Sequence, residues 1–258
     1  MAEDAKIEVS VIIPVYNAAR YLANAVYSAL EQEDMPEGSV EVIVINDCSP
    51  DDVDAAMQPF QGDSQVVYRH NKKNAGVART RNRGIDMARG TYIAFLDADD
   101  WWEPDKLSAQ LALLKKTDAP LCCSGRVLHE ADGTPTGRVI HVRKRITYEE
   151  LLHTNMIPCG SVVLPASIAR EFHMKHAELH EDYILWLQIL KKYGAAVGID
   201  EPYLHCRLSE GGKSRNKIKS AAMQYGVYRY MGFGRLKSLR FFLSYAFHGV
   251  KKYYGKNS

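Results

Sequence analysis

Three apolar, β-branched runs in the first hundred residues each stop abruptly in polar groups. Residues 9–15 (VSVIIPV) end at Tyr16 and Asn17, residues 40–45 (VEVIVI) at Asn46 and Asp47, and residues 92–96 (YIAFL) at Asp97-Ala98-Asp99-Asp100. Short runs that are continuously apolar, rather than alternating, read as strands buried on both faces. A weaker run at 66–68 makes a further strand. Helical spacing fills the intervals: residues 21–31, a helix opened by Asp51 and Asp52, and residues 76–88, which Arg89-Gly90 stops. Strand and helix in alternation require parallel pairing through right-handed crossovers. The expected fold is therefore α/β, with a Rossmann-like, mostly parallel sheet and helices on both faces. Such sheets bind ligands in the crevice beyond the carboxyl ends of their strands, where Asn17, Asp47 and the acidic cluster all fall.

Three carboxylates cannot stay inside a sheet, since each bare charge costs several kcal/mol or more. Asp97 and Asp99 flank a small Ala98 and make a pair of hard oxygen donors, suited to a divalent cation that also holds phosphates. The triplet alone is a weak signal, because an Asp after a strand often caps the next helix. Asp100 is assigned to the turn into Pro104.

From Pro104 the pattern loosens. Helices are expected at 106–115, 148–153 and 183–192, strands at 121–127 and 161–164, and a hairpin turn at Asp132-Gly133. Two helices, 217–231 and 236–254, close the chain. The 258 residues are 46% hydrophobic and 25% charged, which suits a globular fold. Five cysteines without a C-x-x-C spacing argue for reduced thiols and against a disulfide scaffold or zinc site. No apolar run is long enough to cross a bilayer. The polar, acidic N-terminus is not a secretory signal, so a cytoplasmic location is expected.

Other polar groups carry two readings each. Asp47, an acceptor when ionised, suits the ring N–H of uracil or a ribose edge; it would equally cap the helix after Pro50. Asn74, Arg81 and Asn82 could reach a base or pyrophosphate, or be solvated on a helix face. Asp182 and Trp186 lie four apart, on one helix face. A carboxylate beside a ring could take a proton from a sugar hydroxyl while the ring stacks on the sugar; alternatively Glu181 and Asp182 favour the helix dipole and Trp186 is core. Gly211-Gly-Lys213-Ser214 is not a phosphate-binding P-loop, because Arg207 stands where the first glycine belongs. Arg207, Lys213 and Arg215 remain candidates to close over a pyrophosphate. Pro14-Val-Tyr-Asn17 replaces the glycine fingerprint an NAD dehydrogenase needs.

Taken in order, VSVIIPVYN (9–17), INDCS (45–49), NAGV (74–77), RNRG (81–84), FLDADD (95–100) and Glu181-Asp182 resemble glycosyltransferase family 2, the inverting transferases of GT-A fold. The later part is similar to bacterial teichuronic acid and capsule glycosyltransferases. The resemblance covers nearly the whole chain and implies roles. Pro14, Tyr16, Asn17, Asp47, Asn74, Arg81, Asp97, Asp99 and Arg207 would bind a nucleoside diphosphate-sugar, UDP-linked by expectation. Asp99 and Asp97 would form a D-x-D motif holding Mn²⁺ or Mg²⁺. Asp182 would be the general base, with Glu181 and Trp186 on the acceptor. Residues 1–101 would form the nucleotide-sugar half, 102–212 the acceptor half, and 213–258 a basic helical tail. The acceptor would be a saccharide, lipid-linked in cell-surface polysaccharide synthesis, and a homodimer is compatible with the family. The rival is an inactive module that binds a UDP-sugar without turnover.

Every charged side chain after Glu210 is basic. Arg235, Lys237, Arg240, Lys251 and Lys252 alternate with Leu236, Leu239, Phe241, Phe242, Leu243, Tyr245 and Phe247. A basic amphipathic helix suits an anionic bilayer surface, the inner face of the plasma membrane for a cytoplasmic enzyme; the alternative is a helix packed on the acidic body. No nucleic-acid motif accompanies the charge, so nucleic acid is not an expected partner.

Overall fold

The computed structural model describes residues 6–175, 178–208 and 217–254. The first half follows the predicted alternation: β1 (Val9–Val15), α1 (Ala19–Leu30), β2 (Val40–Asn46), α2 (Val53–Met57), β3 (Val66–His70), α3 (Val77–Met87) and β4 (Tyr92–Phe95). These strands lie in the order β3-β2-β1-β4 and all pair in parallel. Alternate residues of one strand enter opposite cores. On β1, Val9, Val11, Ile13 and Val15 join Leu22, Ala25 and Val26 of α1, while Ile12 joins Ala78 and Ile85 of α3. Helices on both faces account for runs that are apolar throughout. Gly84 allows α3 its close approach, since a Cβ there would meet Ile12 at 2.5 Å.

The second half continues with β5 (Trp101–Trp102), α4 (Lys106–Thr117), β6 (Cys122–His129), β7 (Pro135–Ile140), β8 (Arg145–Ile146), α5 (Tyr148–His153), β9 (Val163–Pro165), α6 (Ala166–Phe172), α7 (Glu181–Tyr193) and β10 (Ala196–Arg207). Here the sheet is mixed. β9 runs antiparallel to both β4 and β6, and β10 pairs in parallel with β6. The predicted hairpin joins β6 to β7, with Gly133 at φ 94° in its turn. Four elements, the two-residue strands β5 and β8 together with α6 and β10, were not anticipated. β10 reads AVGIDEPYLHCR, in which Asp200, Glu201 and Pro202 hide a strand. They fall in an irregularity, where the register to β6 shifts between Ile199 and Leu204, as expected of proline inside a sheet.

The chain closes with α8 (Lys217–Tyr230) and α9 (Arg235–Tyr254). α8 is anchored in the body: Val227 and Tyr228 are fully buried, and the Tyr228 hydroxyl donates to the Leu152 carbonyl at 2.7 Å. α9 has two apolar faces. Ser238, Phe241, Phe242 and Tyr245 turn inward, with Phe241 against Tyr228 and Phe233. Leu236, Leu239, Leu243 and Phe247, spaced three and four apart, are 86, 46, 59 and 69% exposed. The reading of the tail as a helix packed on the body thus holds for one face of α9, while its other apolar row is left exposed.

Candidate active site

The strand ends of β1, β2 and β4 meet in a crevice of about 600 Å³ lined by Pro14, Tyr16, Asn17, Asp47, Asp97, Asp99 and Arg207. Its rim bends sharply. Asn17 and Cys48 both have positive φ, 54° and 57°, a region Asn tolerates and other side chains rarely adopt. The bend at Asn17 is pinned where its N–H donates to the Ser49 hydroxyl at 2.6 Å, and Ser49 in turn bonds Asp51. Asp51 also accepts from the Ala19 N–H at 2.7 Å, at the start of α1, while Asp52 caps α2 through the Ala55 N–H.

Asp47 therefore does not cap the helix after Pro50. Its carboxylate accepts from Asn71 Nδ2 at 2.7 Å and from the backbone N–H groups of Ala75 and Gly76 at 2.8 and 2.9 Å, ordering the turn into α3. Asn74 is exposed and stays outside the crevice lining; its neighbours' backbones, not its amide, serve Asp47. Asn82 is also redirected, since its amide exchanges two hydrogen bonds with the backbone of Met174.

Arg81 is 4% exposed and does not line the crevice. Its guanidinium donates to Asp97 at 2.5 Å and lies 3.6 Å from Glu181. It bridges β4 to α7, holds Asp97 in place and lines the second cavity described below. Asp99 makes no ion pair among the described residues: burial first, then the charge of Asp97, push its carboxyl up to about 6 against the pull of Arg207. Asp100 is buried, and its carboxylate accepts from the Arg207 N–H at 2.9 Å. It ties the acidic loop to β10 and does not serve the turn into Pro104. Burial, then Asp97 and Asp99, push this carboxyl well above its usual range.

Arg207 is fixed at the crevice edge. Its guanidinium donates to the carbonyls of Ala131 at 3.1 Å and Asp99 at 3.2 Å, and sits 4.3 Å from the Tyr21 ring centroid and 5.2 Å from that of Trp101. Beneath Trp101 runs a chain of contacts from the Gly133 carbonyl through His129 and His205 to Glu103. Tyr21 was missed by sequence reasoning; only its position one turn into the first helix could have flagged it. Lys213 and Arg215 lie outside the described residues.

Behind Asp97 opens a second cavity of about 400 Å³, lined by Asp97, Arg81, Glu181, Asp182, His180, Arg126, His141, Asn155 and Tyr245 among others. Asp182 starts α7 and keeps some exposure. Burial, then the neighbouring Glu181, raise its carboxyl above the usual range, while Arg81 pulls it back. Such a group is a stronger proton acceptor than a solvated aspartate. Glu181 is buried against Arg81 and holds the charge balance, so it offers no free edge to a sugar. Trp186 is fully buried, 6.3 Å from the Phe95 ring, with its indole Nε1 unpartnered. It is core, and cannot stack on an acceptor.

Asp97 and Asp99 make only two ligands, and no cluster of three or more His, Cys, Asp or Glu suited to a metal exists among the described residues. Two carboxylates at an open crevice nonetheless fit Mg²⁺ or Mn²⁺, which complete their shells with phosphates and water. The unpaired charge of Asp99 beside Asp97 is what such a cation would offset.

The family described as Glycosyl transferase family 2 matches residues 10–173. The chain belongs to that family. TuaG of Bacillus subtilis (strain 168), assigned to teichuronic acid biosynthesis, is 33% identical over 246 residues, covering 95% of this glycosyltransferase and 96% of TuaG. WfgD of Escherichia coli, a UDP-Glc:alpha-D-GlcNAc-diphosphoundecaprenol beta-1,3-glucosyltransferase, is 30% identical over 95% of the chain and 94% of WfgD. Among solved structures, Staphylococcus aureus TarS 1–349 with UDP-GlcNAc superimposes with a TM-score of 0.73 at 14% identity, over 95% of this chain and 73% of TarS. The mannosyltransferase PcManGT of Pyrobaculum calidifontis, with GDP-Man and Mn²⁺, gives 0.67 at 16% identity, over 91% and 69%. At such identities the likeness is one of fold. The enzyme is a glycosyltransferase of GT-A fold, and no described helix is long and apolar enough to cross a membrane.

Proposed function

We propose that this glycosyltransferase moves a sugar, with inversion, from a UDP-sugar to a hydroxyl of a lipid-linked saccharide in bacterial cell-surface polysaccharide synthesis. The observation that carries the reading is the position of Asp97, which lines both cavities. The donor occupies the crevice with Pro14, Tyr16, Asn17 and Asp47, in the half formed by residues 1–101. The acceptor enters the cavity beyond, toward Asp182, in the half formed by 102–212. The two substrates meet at Asp97. The relatives' named substrates, a UDP-sugar and a diphosphoundecaprenol-linked sugar, agree with this division.

In the reaction, the Asp182 carboxylate takes the proton of the acceptor hydroxyl as its oxygen bonds to the anomeric carbon, and the bond to the diphosphate breaks on the opposite face. A single displacement of this kind inverts the centre. Arg81 keeps Asp97 oriented at the junction, and Arg207 faces the leaving diphosphate. Asp99 and Asp97 would hold a divalent cation, which would supply charge neutralisation for the leaving diphosphate. α9 supplies the membrane contact. Its outer row of Leu236, Leu239, Leu243 and Phe247, with Arg235, Lys237 and Arg240 alongside, lies at the surface of an anionic bilayer.

Release of UDP from a panel of UDP-sugars, with octyl N-acetylglucosaminyl diphosphate as acceptor, tests the reading. Asp182→Asn lowers turnover at least ~10²-fold and leaves UDP binding nearly intact. Turnover equal to the parent's would remove Asp182 from the mechanism. Asp99→Ala abolishes Mn²⁺-dependent UDP binding measured by calorimetry.

A further inference from the structure

The arginines of the two cavities are engaged, with one exception. Arg81 is held by Asp97 and Glu181, Arg207 by two carbonyls and two rings, and Arg20 lies 4.5 Å from the Tyr21 ring. Arg126, on β6, is mostly buried, lines the inner cavity, and has its Nε shut away from water without a hydrogen-bond partner. No carboxylate among the described residues pairs with it. The negative charge of the cavity is spent elsewhere. Asp97 and Glu181 face Arg81, Asp100 accepts from the Arg207 backbone, and the fourth carboxyl of the cavity, Asp182, accepts from the Tyr183 N–H and makes no ion pair with Arg126. Arg126 pairs in register with Ile140 of β7, which His141 follows, and all three line this cavity. A guanidinium Nε shut from water without a partner is costly, and the fork of an arginine matches an oxyanion in two parallel hydrogen bonds.

We propose that Arg126 determines acceptor specificity by gripping an anionic group that the acceptor carries apart from its reacting hydroxyl, either a phosphate or a sugar carboxylate. The inference rests on the assignment of this cavity to the acceptor. Tyr245 of α9 lines the same cavity, so an acceptor anion bound at Arg126 sits close to the helix whose outer row is bare and apolar. An acceptor with a charged head and a lipid chain has both ends provided for.

The test is calorimetry of three probes in the presence of UDP: octyl N-acetylglucosaminyl diphosphate, octyl glucuronide and octyl glucoside. The unaltered enzyme binds at least one charged probe more tightly than octyl glucoside. Arg126→Gln weakens that probe roughly 10- to 100-fold and shifts octyl glucoside much less; Arg126→Lys restores part of the loss. Whichever charged probe loses affinity identifies the anion as phosphate or carboxylate. An unaltered enzyme without preference for charge, an equal loss on all three probes, or no loss on the charged ones overturns the proposal. Binding is read without turnover, so a failure of sugar transfer would count against the proposed reaction and leave this comparison standing.

Discussion

Glu181 and Asp182 are adjacent carboxylates in different electrostatic settings, and the difference comes from a single arginine. Arg81 neutralises Glu181 and Asp97, while Asp182 feels the negative charge of Glu181 as a raised affinity for its own proton. The consequence is a predicted shift in the acid limb of the pH–rate profile. Activity needs Asp182 ionised, so it falls as pH drops through the raised pKa of that group. Glu181→Gln removes the neighbouring charge, lowers that pKa and moves the acid limb to lower pH. An unmoved limb would show that Glu181 does not set the basicity of Asp182. The sequence showed the carboxylate pair at a helix start but could not divide the roles, because the dividing residue is 100 positions earlier. The same limit explains Trp186. Its spacing from Asp182 places both on one helix, but only the sheet beside it, with Phe95, makes it core.

Elements with an unbroken pattern were legible and those with interruptions were not. β1, β2 and β4 announce themselves because both faces of each are buried. β10, longer than any of them at 12 residues, was hidden by the polar stretch around Pro202. α9 was legible as amphipathic, but sequence alone could not tell its two apolar faces apart. Packing on α5 and α8 consumes one face and leaves the other bare. That outer face makes a prediction for the helix: the triple change Leu239→Glu, Leu243→Glu and Phe247→Glu abolishes flotation of the full chain with phosphatidylglycerol liposomes. The inward Phe241 and Tyr228 are untouched, so thermal unfolding changes little. Retained flotation would assign the row to something other than a bilayer. Charge adds to the effect, at ~1 kcal/mol for each Arg or Lys near the surface.

For the whole molecule, stability carries one conspicuous burden. Lys106, at the start of α4, is fully buried 3.8 Å from the Trp102 ring, with its Nζ unpartnered, and burial pushes its pKa down to about 7. The unfolded chain holds this proton up to the ordinary lysine range, and the folded chain releases it near pH 7. Between those values the unfolded state binds more protons, so this group makes stability rise with pH. The buried thiols act oppositely above their ordinary range, since burial raises Cys122 and Cys123. The clean comparison is therefore from pH 7 to 8.5. There the stability of the parent relative to Lys106→Met improves by roughly 1.5 kcal/mol, and Lys106→Met is the more stable protein at pH 7. Denaturant unfolding at both pH values measures it, and parallel curves would mean the amine stays charged when folded. The distribution of thiols over the molecule has a further use. Of five cysteines, Cys48 is the exposed one, and it follows Asp47 on the strained bend at the donor crevice. The native chain thus carries an exposed handle for a fluorescent label at the rim of the proposed nucleotide site, and occupancy of that crevice becomes readable without engineering a cysteine into the enzyme.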